Sequence, residues 1–480
     1  MIACYLPSAR ALASLALTAV LLLSTTGTVY ALTSAPRTEV TVSVGAVPMA
    51  ADLVCPKKRV SAKGPSKVAK ASSEALELPS EEEVADALAE VSAQSSGATQ
   101  RAMQPALPHA AMDQPLRVAI WGDSHLAAGF FTDELASLLG VQANRLRSVF
   151  LPGNIGRPGV RLPYRKACVS DGWRYEPAYS SAAAAIMPGP GLVNLVAEEA
   201  GASLAIDVRD RAGTAVSSRV RVLYHQTAVP IRLGLSVDGA LEQELVLSGY
   251  EGPGVVVIQA DEPLSVIRLR VIEGSWVFQG IEAGWDAAAA LQMDVFGFPG
   301  ATVAGWRRAQ LPYLSSWFND RHYDLVMLMF GTNEGNVPAF DPRVYRDSLD
   351  QAVSNFRQVF PDSACILIGP GDRGARVLHR RKVRRGMKRL SSPIADPLTF
   401  SRVHERISDS QRAVASSHGC LFFSLQDSMG GPGSVYRWVR TNPPLMAYDL
   451  THFTPAGYRE LARRFASAMH WDANLLVPTP

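Results

Sequence analysis

Leu116-Arg117-Val118-Ala119-Ile120-Trp121-Gly122-Asp123-Ser124-His125 is the stretch on which the reading of this chain turns. An apolar run of strand length stops at Gly-Asp-Ser, and apolar residues over 130–139 then recur at helical spacing. Strand, tight turn and helix together make the opening unit of an α/β fold. A hydroxyl at such a turn is exposed beside the first N–H groups of the next helix, which is what a nucleophile needs. Asp and Ser are also ordinary helix caps, so the tripeptide alone leaves both readings open.

Working outward, the same rhythm resumes far downstream. Strands are expected over 324–330, 364–368 and 420–425, and helices over 345–360, 401–417 and 454–468. Between about 175 and 284 the pattern alternates instead. Short strands over 203–208, 220–224, 231–237, 254–259, 264–272 and 275–281, with turn signals between them, predict a sandwich or jelly roll. The expected fold class is therefore α/β, a domain of 114–170 and 287–473 with an all-β domain of 171–286 inserted into it.

On the other side, 32–113 is rich in Ala, Ser and Pro and reads as a mostly disordered linker. One short helix is expected over 79–91, its first turn carrying Glu81, Glu82 and Glu83 to suit the helix dipole. Residues 1–31 read as a secretory signal peptide: Arg10, an apolar run over 11–23, then the small-residue spacing of Val29-Tyr30-Ala31. That run is shorter than the roughly 20 apolar residues of a spanning helix, although extension through 24–29 leaves an uncleaved anchor open. Export to a bacterial periplasm, envelope or exterior follows as the expectation.

The 480 residues, 47% hydrophobic and 19% charged, suffice for a full core, and a net charge of +3 gives no ground for wholesale nucleic-acid binding. The five cysteines show no paired metal-ligand spacing. Cys365 and Cys420 each precede an apolar strand, which would set them at one end of neighbouring strands. A bridge between them and two buried free thiols both fit.

Three further motifs follow apolar strands or lead a helix. In Asp449-Leu450-Thr451-His452, ahead of Thr454 as cap and Pro455 as first helical residue, the carboxylate can take the imidazole Nδ1–H and leave Nε2 to receive a proton from a serine. Phe330-Gly331-Thr332-Asn333-Glu334 brings an amide to the carboxyl end of a strand, where open α/β sheets bind ligands. Phe296-Gly297-Phe298-Pro299-Gly300-Ala301 supplies a glycine whose N–H can approach a ligand closely.

Taken in order, these four blocks resemble the signature of the SGNH/GDSL hydrolase superfamily. The resemblance implies a three-layer, flavodoxin-like α/β/α domain with Ser124 as nucleophile, His452 as general base and acid, and Asp449 orienting it. It implies an oxyanion hole made of the Ser124 and Gly300 N–H groups and the Asn333 amide, with no metal or organic cofactor. His125 stands where many members have Leu, and reads as structural or pocket-lining. The inserted β domain, Gln279-Gly280-Ile281-Glu282, Asp294-Val295-Phe296-Gly297 and Met429-Gly430-Gly431-Pro432-Gly433-Ser434 are similar to bacterial peptidoglycan O-acetylesterases with a carbohydrate-binding-module-like domain.

What that implies is removal of O-acetyl groups from a cell-wall glycan. Acetyl transfer to a second sugar hydroxyl, an inactive glycan-binding protein, and an esterase for lipid-like esters are the rival readings. The basic run from Arg373 to Arg389 reads as a solvated loop or as an electrostatic contact with anionic wall polymer or membrane. Trp276, Trp285 and Trp306 read as packing or as a stacking platform for sugar.

Overall fold

The run 116–121 forms the strand Leu116–Gly122 of a computed structural model that describes residues 35–45, 52–55, 77–92, 107–180, 185–286, 288–336, 339–377 and 396–478. Every residue of this strand except Arg117 is buried, the pattern of a parallel strand covered on both faces. Among the described residues six strands make this sheet. Their order is Leu421–Ser424, Ala364–Gly369, Leu325–Met329, Leu116–Gly122, Leu291–Gly297 and the short Leu146–Arg147, and every pairing is parallel.

From the central strand the chain's next long strand in the sheet, Leu291–Gly297, lies to one side and the following one, Leu325–Met329, to the other. Such a switch point opens a crevice at the carboxyl ends of the strands. The register sets Gly122 beside both Gly297 and Met329, so three motif-bearing turns leave the sheet at one level. Gly297 is required there: a Cβ would lie 2.4 Å from the backbone nitrogen of Ala127, on the short helix after the central strand.

Alternate residues of the sheet feed two cores. Ala119, Trp121, Val326, Leu328 and Leu367 pack with Phe356 and Ile407 of helices Pro342–Val359 and Thr399–Ser417. Val118, Ile120, Met327 and Ile366 pack with Phe131, Leu461 and Phe465 of helices Phe130–Leu138 and Pro455–Met469. The result is a mixed α/β architecture with helices on both faces of a parallel sheet.

Two further sheets lie largely between Phe150 and Ala283 in sequence. One runs Thr38–Val44, Gly252–Ala260, Arg219–Gln226, Trp276–Ala283, Val193–Ala197, Trp173–Pro177, with Phe150–Pro152 also paired to Trp276–Ala283. The other runs Gln243–Leu247, Ile231–Val237, Val266–Glu273, Ser203–Asp210, Tyr164–Val169. Leu195, Val222, Tyr224 and Phe278 of the first and Ile206, Leu233 and Leu269 of the second share one buried core. The strands Phe150–Pro152 and Tyr164–Val169 precede the boundary expected at 171.

The structure departs from the sequence reading in several places. Within 32–113, Thr38–Val44 is a strand paired in parallel with Gly252–Ala260, because Val42 and Val44 alternate inward at strand period. The regional Ala/Ser/Pro composition hid that short pattern. Helix Glu81–Ser92 begins with a capping box, Ser80 Oγ accepting from Glu83 N at 3.1 Å and Glu83 Oε2 from Ser80 N at 2.7 Å. Its Val84 joins the second core.

Cys55, placed in the linker by sequence, is bonded to Cys168, and Cys365 is bonded to Cys420. Trp276 and Trp306 are fully buried packing residues, and the Trp285 indole donates to the Ser148 carbonyl at 3.0 Å. A solvated loop was one reading of the basic run, yet Arg373 is half-buried, its guanidinium over the Phe400 ring at 4.2 Å. The rest of that run, apart from residues 374–377, and the expected signal segment 1–31 lie outside the described residues. Among the described residues no helix is long and apolar enough to cross a membrane.

Candidate active site

Ser124 is the first residue of a one-turn helix, Ser124–Ala127, capped by Asp123, whose Oδ1 accepts from His125 N at 2.9 Å. Asp123 is wholly buried, and burial pushes its carboxyl up to about 6 against the pull of that N–H and of His452. His125 is buried behind the serine. Its Nδ1 pairs with the Tyr458 hydroxyl at 3.1 Å, and desolvation takes its pKa down to about 3, so it stays neutral.

His452 arrives from the loop before helix Pro455–Met469, whose cap, Thr454, accepts from Gly457 N at 3.2 Å. Leu450 turns that loop with φ of 58°. The imidazole Nε2 lies 3.0 Å from Ser124 Oγ, and Nδ1 lies 2.8 Å from Asp449 Oδ2. Asp449 Oδ1 meanwhile accepts the backbone N–H groups of His452 and Thr451, at 2.9 and 3.0 Å. Partial burial pushes the Asp449 carboxyl up, but these hydrogen bonds together with the imidazole outweigh it and hold the group below the usual carboxylate range. The side chains of His452 and Asp449 are 45% and 53% exposed, so the row is open to a large substrate.

Phe298 N donates to Gly122 O at 3.0 Å, tying the glycine turn to the end of the central strand. Ala301 N closes the turn on Phe298 O at 3.0 Å, with Pro299 second and Gly300 third at φ of 91°, the residue pattern of a type II turn. Asn333 Nδ2 donates one hydrogen to Ala301 O at 2.8 Å, which leaves the other for a ligand. The four blocks separated in sequence therefore meet at the carboxyl edge of the sheet.

Glu334, quoted with its motif but given no role by sequence, proves central to this arrangement. Its half-buried carboxyl accepts Val303 N at 2.8 Å and Gly331 N at 3.1 Å, clamping the glycine turn to the asparagine turn. Burial, with Asp123 adding to it, pushes its pKa to about 7 despite those bonds. An acidic residue directly after Asn at a strand end was the available signal, and burial could not be read from it. A narrow pocket beside the turns is lined by Gly122, Tyr179, Phe298, Ala301, Thr302 and Phe330. Among the described residues no group of three or more His, Cys, Asp or Glu side chains is placed to hold a metal ion.

A serine hydroxyl, an imidazole and a carboxylate in one hydrogen-bonded row, at the switch point of a parallel sheet, define an acyl-transferring hydrolase site. In agreement, residues 273–460 match the model of the GDSL-like Lipase/Acylhydrolase family. That segment carries Gly300, Asn333, Asp449 and His452, while Ser124 lies before it and joins through the fold.

Among solved structures the chain is similar to one described as a peptidoglycan O-acetylesterase in action. That match is 22% identical with a TM-score of 0.55, over 75% of this chain and 91% of the other. Another similar structure is a family two carbohydrate esterase from Clostridium thermocellum in complex with cellohexaose, 12% identical with a TM-score of 0.24, over 62% and 100% of the two chains. No curated protein matches the sequence. The 273–460 segment thus resembles a GDSL-like acylhydrolase, and Ser124 joins its His452 and Asp449 from outside the matched residues.

Proposed function

We propose that the protein removes O-acetyl groups from a cell-wall glycan, peptidoglycan being the substrate class favoured, through an acetyl-Ser124 intermediate. The observation that carries this is the Ser124–His452–Asp449 row at 3.0 and 2.8 Å, beside the Gly300 turn and the Asn333 amide. Ser124 Oγ attacks the acetyl carbonyl as its proton passes to His452 Nε2. Negative charge on the carbonyl oxygen is met by the N–H groups of Ser124 and Gly300 and by the free Asn333 N–H. Collapse of the adduct expels the sugar oxygen, which takes the proton from His452. Water then attacks acetyl-Ser124, giving its proton to His452, and acetate leaves as the serine is restored.

Support for a glycan substrate comes from the openness of the triad and from the two β sheets, which we read as a carbohydrate-binding-module-like insertion. Two paired disulfides support export into an oxidising compartment. Acetate release from O-acetylated peptidoglycan, acetylxylan and a small acetyl ester, by wild type and Ser124→Ala, tests the reading. Release from peptidoglycan that the substitution abolishes is the expected result. Release from the small ester alone would discard the wall substrate. Acetyl recovered on a second sugar in place of free acetate would make the enzyme a transferase.

A further inference from the structure

A loop that none of the four motifs includes is tied to two of them. Asn154 Nδ2 donates to Gly297 O at 2.7 Å, and Arg161 N donates to Ala127 O at 2.9 Å. Residues 154–161 are thereby fixed both to the strand end before the glycine turn and to the short helix that begins with Ser124. Between these ties, the Arg157 guanidinium lies 5.3 Å from the Phe298 ring centre and 5.5 Å from that of Tyr175. Phe298 is the first residue of the Gly300 turn.

Arg157 also lines a groove of about 530 Å³, together with Arg161, Arg165, Lys166 and Arg211. Those other cations have partners. Asp133 pairs with Arg161 and Arg211, Asp52 pairs with Arg165, and Lys166 Nζ donates to Leu53 O at 3.0 Å. Arg157 has no carboxylate partner among the described residues. Its two aromatic neighbours hold the guanidinium plane in place without neutralising it.

We propose that Arg157 is a specificity residue that receives a carboxylate of the glycan substrate, carried close to the acetylated sugar, so that the enzyme selects acid-bearing over neutral acetylated glycans. A planar guanidinium pairs with a carboxylate through two parallel N–H···O bonds, and an ammonium cannot reproduce that fork. Stacking fixes the fork in advance, so less ordering is lost on binding. Along the groove the two carboxylates Asp133 and Asp52 face the four cations Arg161, Arg165, Lys166 and Arg211, and the positive excess adds to the field that attracts an anionic chain. This inference rests on the glycan O-acetylesterase reading.

The test uses the full chain and one glycan in two charge states. O-acetylated peptidoglycan fragments are compared with the same fragments after their carboxylates are converted to amides, with kcat/KM for acetate release as the readout. Wild type should prefer the acidic form by about tenfold, the scale of one charge-assisted pair. Arg157→Gln should bring the ratio close to one, and Arg157→Lys should restore part of it. A ratio unchanged in Arg157→Gln overturns the proposal, including the case in which both rates fall together because Arg157 only buttresses Phe298. Should wild type hydrolyse a small ester and spare peptidoglycan, the parent reading fails, and the same ratio is taken on O-acetylated polygalacturonate and its amide. There a preference lost in Arg157→Gln sustains the carboxylate role, and equal rates in wild type end it.

Discussion

Asp449 binds the imidazole and two backbone N–H groups at once, so Asp449→Asn should do more than remove charge. An amide presents an N–H to one of these donors and favours the wrong imidazole tautomer. A kcat loss of about 100-fold or more on a small acetyl ester is expected, with KM moving less. Glu334 gives a pH prediction. Its folded pKa, about 7, stands above the ordinary value of 4.5, so between those values the folded state holds more protons than the unfolded one. Wild-type stability therefore loses this contribution as pH rises from 4.5 to 7. The cost of Glu334→Gln, measured by denaturant unfolding, should be greater at pH 5 than at pH 8, and equal cost at both would remove the buried-acid account. Ser124, His452, Asp449, Gly300 and Asn333 were all legible in the sequence because each lies in a short block at a strand end or just ahead of a helix. Glu334 and Arg157 were not, since what distinguishes them is burial and an absent partner, and neither has a local pattern.

The Gly300 turn shows how an element serves chemistry. At φ of 91°, with the Tyr179 hydroxyl only 3.2 Å from where a Cβ would stand, alanine strains the backbone and displaces the N–H beside the site. Gly300→Ala should lower kcat by about tenfold or more while the protein stays folded by circular dichroism, in keeping with loss of an oxyanion donor; unchanged kcat would take that N–H out of the mechanism. The Cys365–Cys420 bond staples the edge strand Leu421–Ser424 to its neighbour Ala364–Gly369 across 55 residues of chain. A loop of that length corresponds to about 4 kcal/mol of unfolded-state entropy, so Cys420→Ser should lower Tm by several degrees, and an unchanged Tm would contradict the staple. Long periodic elements of the α/β sheet were readable because buried parallel strands are apolar throughout. The short strands Phe150–Pro152, Trp173–Pro177 and Gln243–Leu247 were missed, being too brief or too polar to show a period.

At the scale of the molecule, Ala127, which ends the one-turn helix, and Leu291, which begins a strand of the same sheet, stand 164 positions apart in sequence. Folding removes that distance by pairing Leu116–Gly122 directly with Leu291–Gly297, and this long-range pairing brings the Gly300 turn to the strand end that carries Ser124. The β-rich region reaches back to Thr38 and is linked there by Cys55–Cys168, a connection that composition could not announce. The central claim is that Ser124 carries the acetyl group. Wild-type protein mixed with O-acetylated peptidoglycan, quenched in acid and digested should yield one acetylated peptide, that containing Ser124, and Ser124→Ala should yield none and release no acetate. Acetate released by Ser124→Ala, or an acetyl group mapped to another residue, would contradict the account.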